Sequence, residues 1–492
     1  MKGIKKYIAA VALMGTVTGA SAQALSSGYF TDGYLFKHQL NPALVSDKSY
    51  FSIPVLGNVN MGVKGNVGLA NFLYPTSDNK LTTFMNSSVS ADEFLGGLRK
   101  INRMGMDMNM SILSMGFRAW GGFNTLDIGL RSSTSLYIPK DFFEFMKMGQ
   151  SGPNTVYDLG TMGVKSTTFV EVALGHSRQI NDKLRVGAKV KALLGGAYAN
   201  MNFSNTKIVM NEDMWEVSAN GEMNVAVAGL SIPTKEESGA EYGEGEGTLV
   251  DFENMEMGTP GLGGFGLALD LGATYEVIDH LTVSAAIRDL GFMSWNNNIY
   301  ASTSNETWRF EGFKDLSIDG DSENSLDNQL DQLTDDFESY TNLHRRSAGG
   351  KLSKALAATL VIGAEYEMPF YNKLSAGFLS TTKINGPYSW SEGRFAANIS
   401  PLSWFEAGIN YGISSYGSTM GWIVNFHPKV LSLFVGMDYI VGKVGKQYIR
   451  QLPVKCVLQN KRISPDSVRF VQIRLRVGTN SIKLYQFGTD LF

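Results

Sequence analysis

The stretch Gly263–Leu290, GGFGLALDLGATYEVIDHLTVSAAIRDL, constrains the fold more than any other part of the chain. Phe265, Leu267, Leu269, Leu271, Ala273 and Tyr275 alternate with Gly266, Ala268, Asp270, Gly272, Thr274 and Glu276. After a turn around Asp279, Leu281, Val283, Ala285 and Ile287 alternate with Thr282, Ser284, Ala286 and Arg288. Successive side chains of a strand point to opposite faces, so the pattern predicts a hairpin with one apolar and one small-polar face. Two settings suit such a hairpin: the core of a soluble sheet, or a barrel wall between lipid and water.

Other segments decide between them. In Thr168–Leu194 the apolar Val170, Val172 and Leu174 alternate with Glu171, Ala173 and Gly175, and the chain turns at Asn181-Asp182-Lys183. Leu184, Val186, Ala188 and Val190 then alternate with Arg185, Gly187, Lys189 and Lys191. Several charges on one strand face are costly in a dry core and comfortable beside water. The unit recurs at Leu126–Leu130 against Asp127 and Arg131, at Leu356–Ala364 ahead of Glu365, at Phe405–Tyr411 around Glu406, and at Leu431–Tyr439 around Asp438. The expected fold is all-β: a single antiparallel transmembrane barrel of roughly fourteen strands, with short helices in its loops and an N-terminal plug.

Composition agrees. The chain holds 54 glycines, only 13 prolines and 11% aromatic residues, which suits long strands with bare, crowded inner faces. A net charge of -3 points to neither nucleic acid nor an electrostatic grip on a membrane surface. Cys456 is the only cysteine, so no internal disulfide forms. Residues 1–22 read as a secretory signal: Lys2, Lys5 and Lys6, then an apolar run, then Ala20-Ser21-Ala22 as the cleavage site.

The domain plan is therefore a signal peptide over 1–22 and an outer-membrane barrel over 23–492. Short turns fall near 182, 279, 372, 401 and 428, and long loops near 138–165, 233–262 and 292–350. Bacterial barrels keep short turns on the periplasmic side and long loops outside. Residues 446–492 read as a closing strand or a divergent tail. Ser90 and Glu93 have capping-box spacing ahead of Phe94, Leu95, Leu98 and Ile101. That short helix is either a plug or lid, or a loop helix packed on the rim.

The methionines at 104, 106, 108, 110 and 115 read as apolar filler rather than as a metal site. Asp319-Gly320-Asp321-Ser322-Glu323 has an EF-hand flavour but carries Asn324 and Leu330 where that loop needs Gly and Glu, and so reads as a solvated acidic loop. The five histidines show no metal-ligand spacing, and there is no nucleophile elbow or phosphate loop, so an enzyme is not expected and no cofactor is implied.

Asn41-Pro42-Ala43, the Ile180–Leu184 turn and the Gly263–Leu290 hairpin with its Leu290-Gly291-Phe292 end carry a resemblance. Over most of residues 23–445 the chain resembles an uncharacterised outer-membrane barrel family of Bacteroidota and is distantly similar to the FadL/PorV superfamily. The resemblance implies a monomeric barrel in outer-membrane lipid with an inward N-terminal segment. It implies either movement of hydrophobic small molecules, as in FadL-like members, or service to secreted proteins, as in PorV-like ones. The leading function is a channel or uptake barrel for small, hydrophobic solutes. The alternatives are a secretion or surface-assembly partner and a structural or adhesive barrel. The candidate lumen residues are Arg118, Arg131, Glu171, Arg185, Lys189, Asp270, Arg288, Glu365, Glu406 and Asp438.

Overall fold

The computed structural model describes residues 25–492 except 47, 53–56, 69–70, 76–80, 152–154, 236–247, 260, 305–306, 312–341, 429–430, 441–454, 459–469, 478–479 and 488–492. The leader at 1–22, the Asp319–Glu323 motif and the acidic residues from Glu236 to Glu246 lie outside the described residues.

One antiparallel sheet forms the wall of residues up to 440. Its strands are β1 (Tyr50–Phe51), β2 (Asn58–Gly65), β3 (Ile101–Ala119), β4 (Gly122–Pro139), β5 (Gly163–Gln179), β6 (Leu184–Phe203), β7 (Gly221–Val227) and β8 (Gly264–Ile278). They continue with β9 (Leu281–Ser302), β10 (His344–Ala355), β11 (Ala358–Glu367), β12 (Leu374–Ile384), β13 (Trp390–Leu402), β14 (Phe405–Ser414), β15 (Gly417–Phe426) and β16 (Leu433–Ile440), and two short strands, Thr234–Lys235 and Leu249–Val250, pair with each other and join the sheet at His344 of β10. Three positions in the wall are shared by two strands each. β1 and β2 both pair with β3, β7 and β8 both lie between β6 and β9, and β10 and β11 both pair with β9. The described wall therefore has thirteen strand positions, and its last edge, β16, returns beside β2. This is the antiparallel β-barrel that the alternation predicts.

Side-chain direction follows the sequence pattern. Leu174 (63% exposed), Val190 (60%), Phe395 (60%), Ile413 (58%) and Val435 (58%) stand outside the wall. Lys189, Lys191, Asp270, Arg394 and Asp438 are buried on the inner face. A water-soluble sheet would reverse this arrangement. An outward apolar band around an inward charged face is the solution for a wall in hydrocarbon, where closure also satisfies every backbone group. Met104, Met106, Met108 and Met110 share the outer face, since the alternate residues Asp107 and Asn109 line the lumen. The short-turn rim carries exposed aromatics, with Phe370 at 80% and Trp120 at 79%, as an interfacial girdle does.

The other end is taller. β14 has 10 residues and β9 has 22, against the nine to eleven or so that cross a bilayer, so part of the wall extends beyond it. Above it, α1 (Ala91–Gly96) and α2 (Lys140–Met148) bury Phe94 and Phe143 with Val67, Val89 and Leu98. The Ser90 hydroxyl accepts from the Glu93 backbone N–H at 3.1 Å, capping α1 as its spacing predicts. α1 is thus a rim helix, not a plug: its apolar face is used up against Phe84, Phe72 and Phe143. A four-stranded sheet of Val156–Asp158, Lys207–Met210, Trp215–Ser218 and Thr307–Phe310 packs Tyr157, Ile208, Val217 and Trp308 together.

The long loop expected at 292–350 is shorter than it looked. β9 runs on to Ser302 and β10 begins at His344, so both flanks of that range are strand. The tail is a separate unit. Lys455–Leu458, Phe470–Val477 and Asn480–Phe487 form their own antiparallel three-stranded sheet, and the Val471–Val477 segment pairs within it.

Candidate functional site

The lumen is occupied from the short-turn end by residues 25–44. This segment makes two 3-10 turns, Ser26–Gly28 and Leu35–Gln39, and buries Leu25, Tyr29, Tyr34, Phe36 and Leu40 against Ala286, Val361, Leu379 and Ile423 of the wall. Glycines on the inner face make room for it. A side chain at Gly187 would meet the Pro42 carbonyl, one at Gly272 the Asn41 side chain, and one at Gly363 the Tyr29 ring. Inside the segment, Asn41 accepts from the Ala43 N–H at 2.9 Å, an Asx turn that fixes the Asn-Pro-Ala corner. Lys37 beside Asp32, at 3.1 Å, holds that carboxyl below the ordinary carboxylate range. Burial raises the Tyr34 phenol above its ordinary value.

Wall carboxylates hold this plug by its N–H groups. Asp438 accepts from the Ser26 N–H at 2.7 Å, the Ser27 N–H at 2.8 Å and the Ser27 hydroxyl at 2.5 Å. Glu406 accepts from the Gly33 N–H at 2.8 Å. Asp127 lies 3.1 Å from His38 Nε2 and accepts from Lys189 at 2.9 Å and from the Ser114 hydroxyl at 2.6 Å. Hydrogen bonds to ionised acceptors are about twice as strong as neutral ones, so three carboxylates fix a segment with little regular structure of its own.

Above the plug sits a charged cluster. Arg131 donates to Asp289 through both Nη atoms, at 2.7 and 2.9 Å, and to Glu171 at 2.9 Å. Lys191 is 2.6 Å from Asp270 and donates to Asp289 at 2.8 Å, and the Asp289 N–H donates to Asp270 at 2.7 Å. Higher still, Lys64 lies 3.0 Å from Asp107 and 3.8 Å above the Trp390 ring, and Lys383 donates to the Ser133 hydroxyl at 3.1 Å.

Between these layers opens a cavity of about 1160 Å³, counting its mouth. Tyr29, Leu40 and Ser26 of the plug form its floor. Its apolar lining is Phe169, Leu356 and Ala357, backed by the buried Met293 and Trp295. Its polar lining is a shelf of hydroxyls, Ser132, Ser133, Ser135, Thr167 and Thr381, set among cations, with Thr167 two residues from Phe169 on the same face of β5.

The sequence candidates divide accordingly. Arg131, Glu171, Lys189 and Asp270 enter the charged layers, Arg288 lines the cavity, and Glu406 and Asp438 anchor the plug. Glu365 is half-buried on β11. Arg118 and Arg185 sit one residue from their strand ends at the short-turn rim, Arg118 exposed and Arg185 half-buried, apart from the central cluster. Sequence reasoning missed Asp127, Lys191, Asp289, Asp107 and Lys383. Asp127 and Lys191 share inner-face parity with Arg131 and Lys189, a signal that was available. Asp289 has no such signal. It adopts φ +60° at an irregularity in the β8–β9 register, so both Arg288 and Asp289 turn inward.

The model of the family described as "Family of unknown function (DUF5723)" matches residues 42–438. The chain belongs to the DUF5723 family. In this DUF5723 protein the matched span begins at Pro42 in the plug corner and ends at Asp438, the residue that anchors the plug's start. No curated protein matches the chain. Among solved structures it is similar to the toluene transporter TbuX of Ralstonia pickettii, at 10% identity and a TM-score of 0.35, covering 83% of this chain and 86% of that one. It is also similar to the toluene transporter TodX of Pseudomonas putida, at 9% identity and a TM-score of 0.35, covering 84% and 90%. A third is the translocator domain of the autotransporter NalP from Neisseria meningitidis, at 9% identity and a TM-score of 0.28, covering 69% and 82%.

Proposed function

We propose that this protein is a monomeric outer-membrane barrel that admits small apolar or amphipathic solutes from the long-loop side into the cavity above its plug. The cavity of about 1160 Å³ carries the reading, because it joins an apolar wall to a polar shelf directly over the plug. The exposed apolar band and the aromatic rim support residence in lipid. The plug closes the short-turn end, so passage requires the 25–44 segment to shift while the wall stays in register.

The test is liposome swelling with purified full-length protein and small solutes of graded polarity. Swelling faster than in protein-free liposomes, and faster again when the plug is displaced by Gly187→Val, is the expected result. Rates equal to those of empty liposomes for both proteins overturn the channel reading.

A further inference from the structure

The cavity lining is unbalanced in charge. Arg131, Lys165, Arg288, Lys354 and Lys383 face it, against Asp107 and Asp289. Both acids are already spoken for: Asp107 by Lys64 and Lys383, and Asp289 by Arg131 and Lys191. Among the described residues, Lys165, Arg288 and Lys354 have no carboxylate within ion-pair distance. Lys165 donates only to the neutral Asn385 side chain, at 2.7 Å, and the buried Nε of Arg288 has no hydrogen-bond partner.

Unpaired cations facing a partly enclosed space raise the local concentration of anions, and low-dielectric walls focus the field. Hydroxyl donors beside them, Ser135 and Thr167 next to Lys165, suit an oxyanion. The apolar lining next to them, Phe169, Leu356 and Ala357, does not suit a bare inorganic ion. The floor of Tyr29 and Leu40 stops a long chain from continuing downward. We propose that the cavity is a binding site for compact organic carboxylates. The carboxylate sits among Lys165, Lys354 and Arg288, and the apolar body lies against Phe169 and Leu356. This rests on the reading of the lumen as a solute path and narrows its substrate class by charge.

Equilibrium dialysis of purified full-length protein in detergent tests it with three probes of one shape: benzoate, benzyl alcohol and benzylammonium. Benzoate is expected to bind at least about tenfold tighter than benzyl alcohol at low ionic strength, and benzylammonium weakest, since charge-assisted hydrogen bonds separate them. Raising the salt narrows the gap. In the Lys165→Gln, Lys354→Gln double variant, which keeps only Arg288, benzoate is expected to lose most of its advantage over benzyl alcohol. Equal binding of the three probes by the unaltered protein, or a benzoate preference as large in the double variant as in the unaltered protein, overturns the proposal. Liposome swelling, measured separately, reports the path and not the site. A benzoate preference without swelling overturns the channel and keeps the site; swelling without a benzoate preference does the reverse.

Discussion

Gly187 and Gly272 are partners in the β6–β8 ladder, and the Asn41–Pro42–Ala43 corner of the plug lies on both. Two glycines side by side weaken a sheet, so their place here is explained by close approach of another backbone. The plug's seat is thus built into the wall.

Gly187→Val should therefore expel the corner while leaving the strand intact, since valine suits a strand better than glycine. Limited proteolysis of the folded barrel should cut within 25–44 in the variant and not in the unaltered protein. Asp438→Asn should loosen the same segment from its other end, because a hydrogen bond to a charged group contributes roughly 1.5–3 kcal/mol. Resistance to protease in both variants would show that the plug is held elsewhere.

The Arg131–Asp289 pair joins β4 to β9 across the lumen at 2.7 Å and is largely enclosed. Removing one partner leaves a desolvated charge, which costs about 3–5 kcal/mol, whereas removing both costs much less. Arg131→Leu, which leaves Asp289, Glu171 and Asp270 with Lys191 alone, should lower the urea midpoint of the detergent-solubilised barrel, and the Arg131→Leu, Asp289→Leu pair should recover most of it. If the double variant unfolds no later than the single one, the two residues are not coupled.

Leu271 stands outward near the middle of β8 at 42% exposure, and Trp120 stands at the rim at 79%. Arginine on the lipid face costs about 2–4 kcal/mol at mid-bilayer and about 0–1 near the interface. Leu271→Arg should therefore impair assembly, read as loss of the heat-modifiable folded band, while Trp120→Arg should not. Equal tolerance of both would remove the lipid from the picture.

Much of this was legible in the sequence because a strand's alternation reports its two environments directly. Lys189 and Asp270 could be placed in the lumen from the parity of Val190 and Leu271 alone. Parity also breaks visibly in β9: Val283, Ala285 and Ile287 face out, and then Leu290 and Phe292 do. That phase change marks the bulge at Asp289, yet nothing in the pattern says which carboxylate it turns inward. The plug was harder to read. Residues 25–44 have neither helical nor strand period, because their N–H groups close local turns or, at Ser26, Ser27 and Gly33, meet wall carboxylates, instead of forming a ladder. The amphipathic helix at 91–96 has a clear period and packs on the rim. Periodicity reports what an element buries, not where in the barrel it sits.

The most direct measurement is a spin-label scan along β8. Replacing Cys456, the only cysteine, by serine clears the background. Single cysteines at Leu267, Ala268, Leu269, Asp270, Leu271 and Gly272 then carry the label in protein reconstituted into lipid. The expected result is high accessibility to oxygen at 267, 269 and 271 and low accessibility at 268, 270 and 272, with a period of two. Uniform accessibility to a water-soluble relaxation agent along the strand would contradict the lipid-facing barrel and the plugged lumen with it.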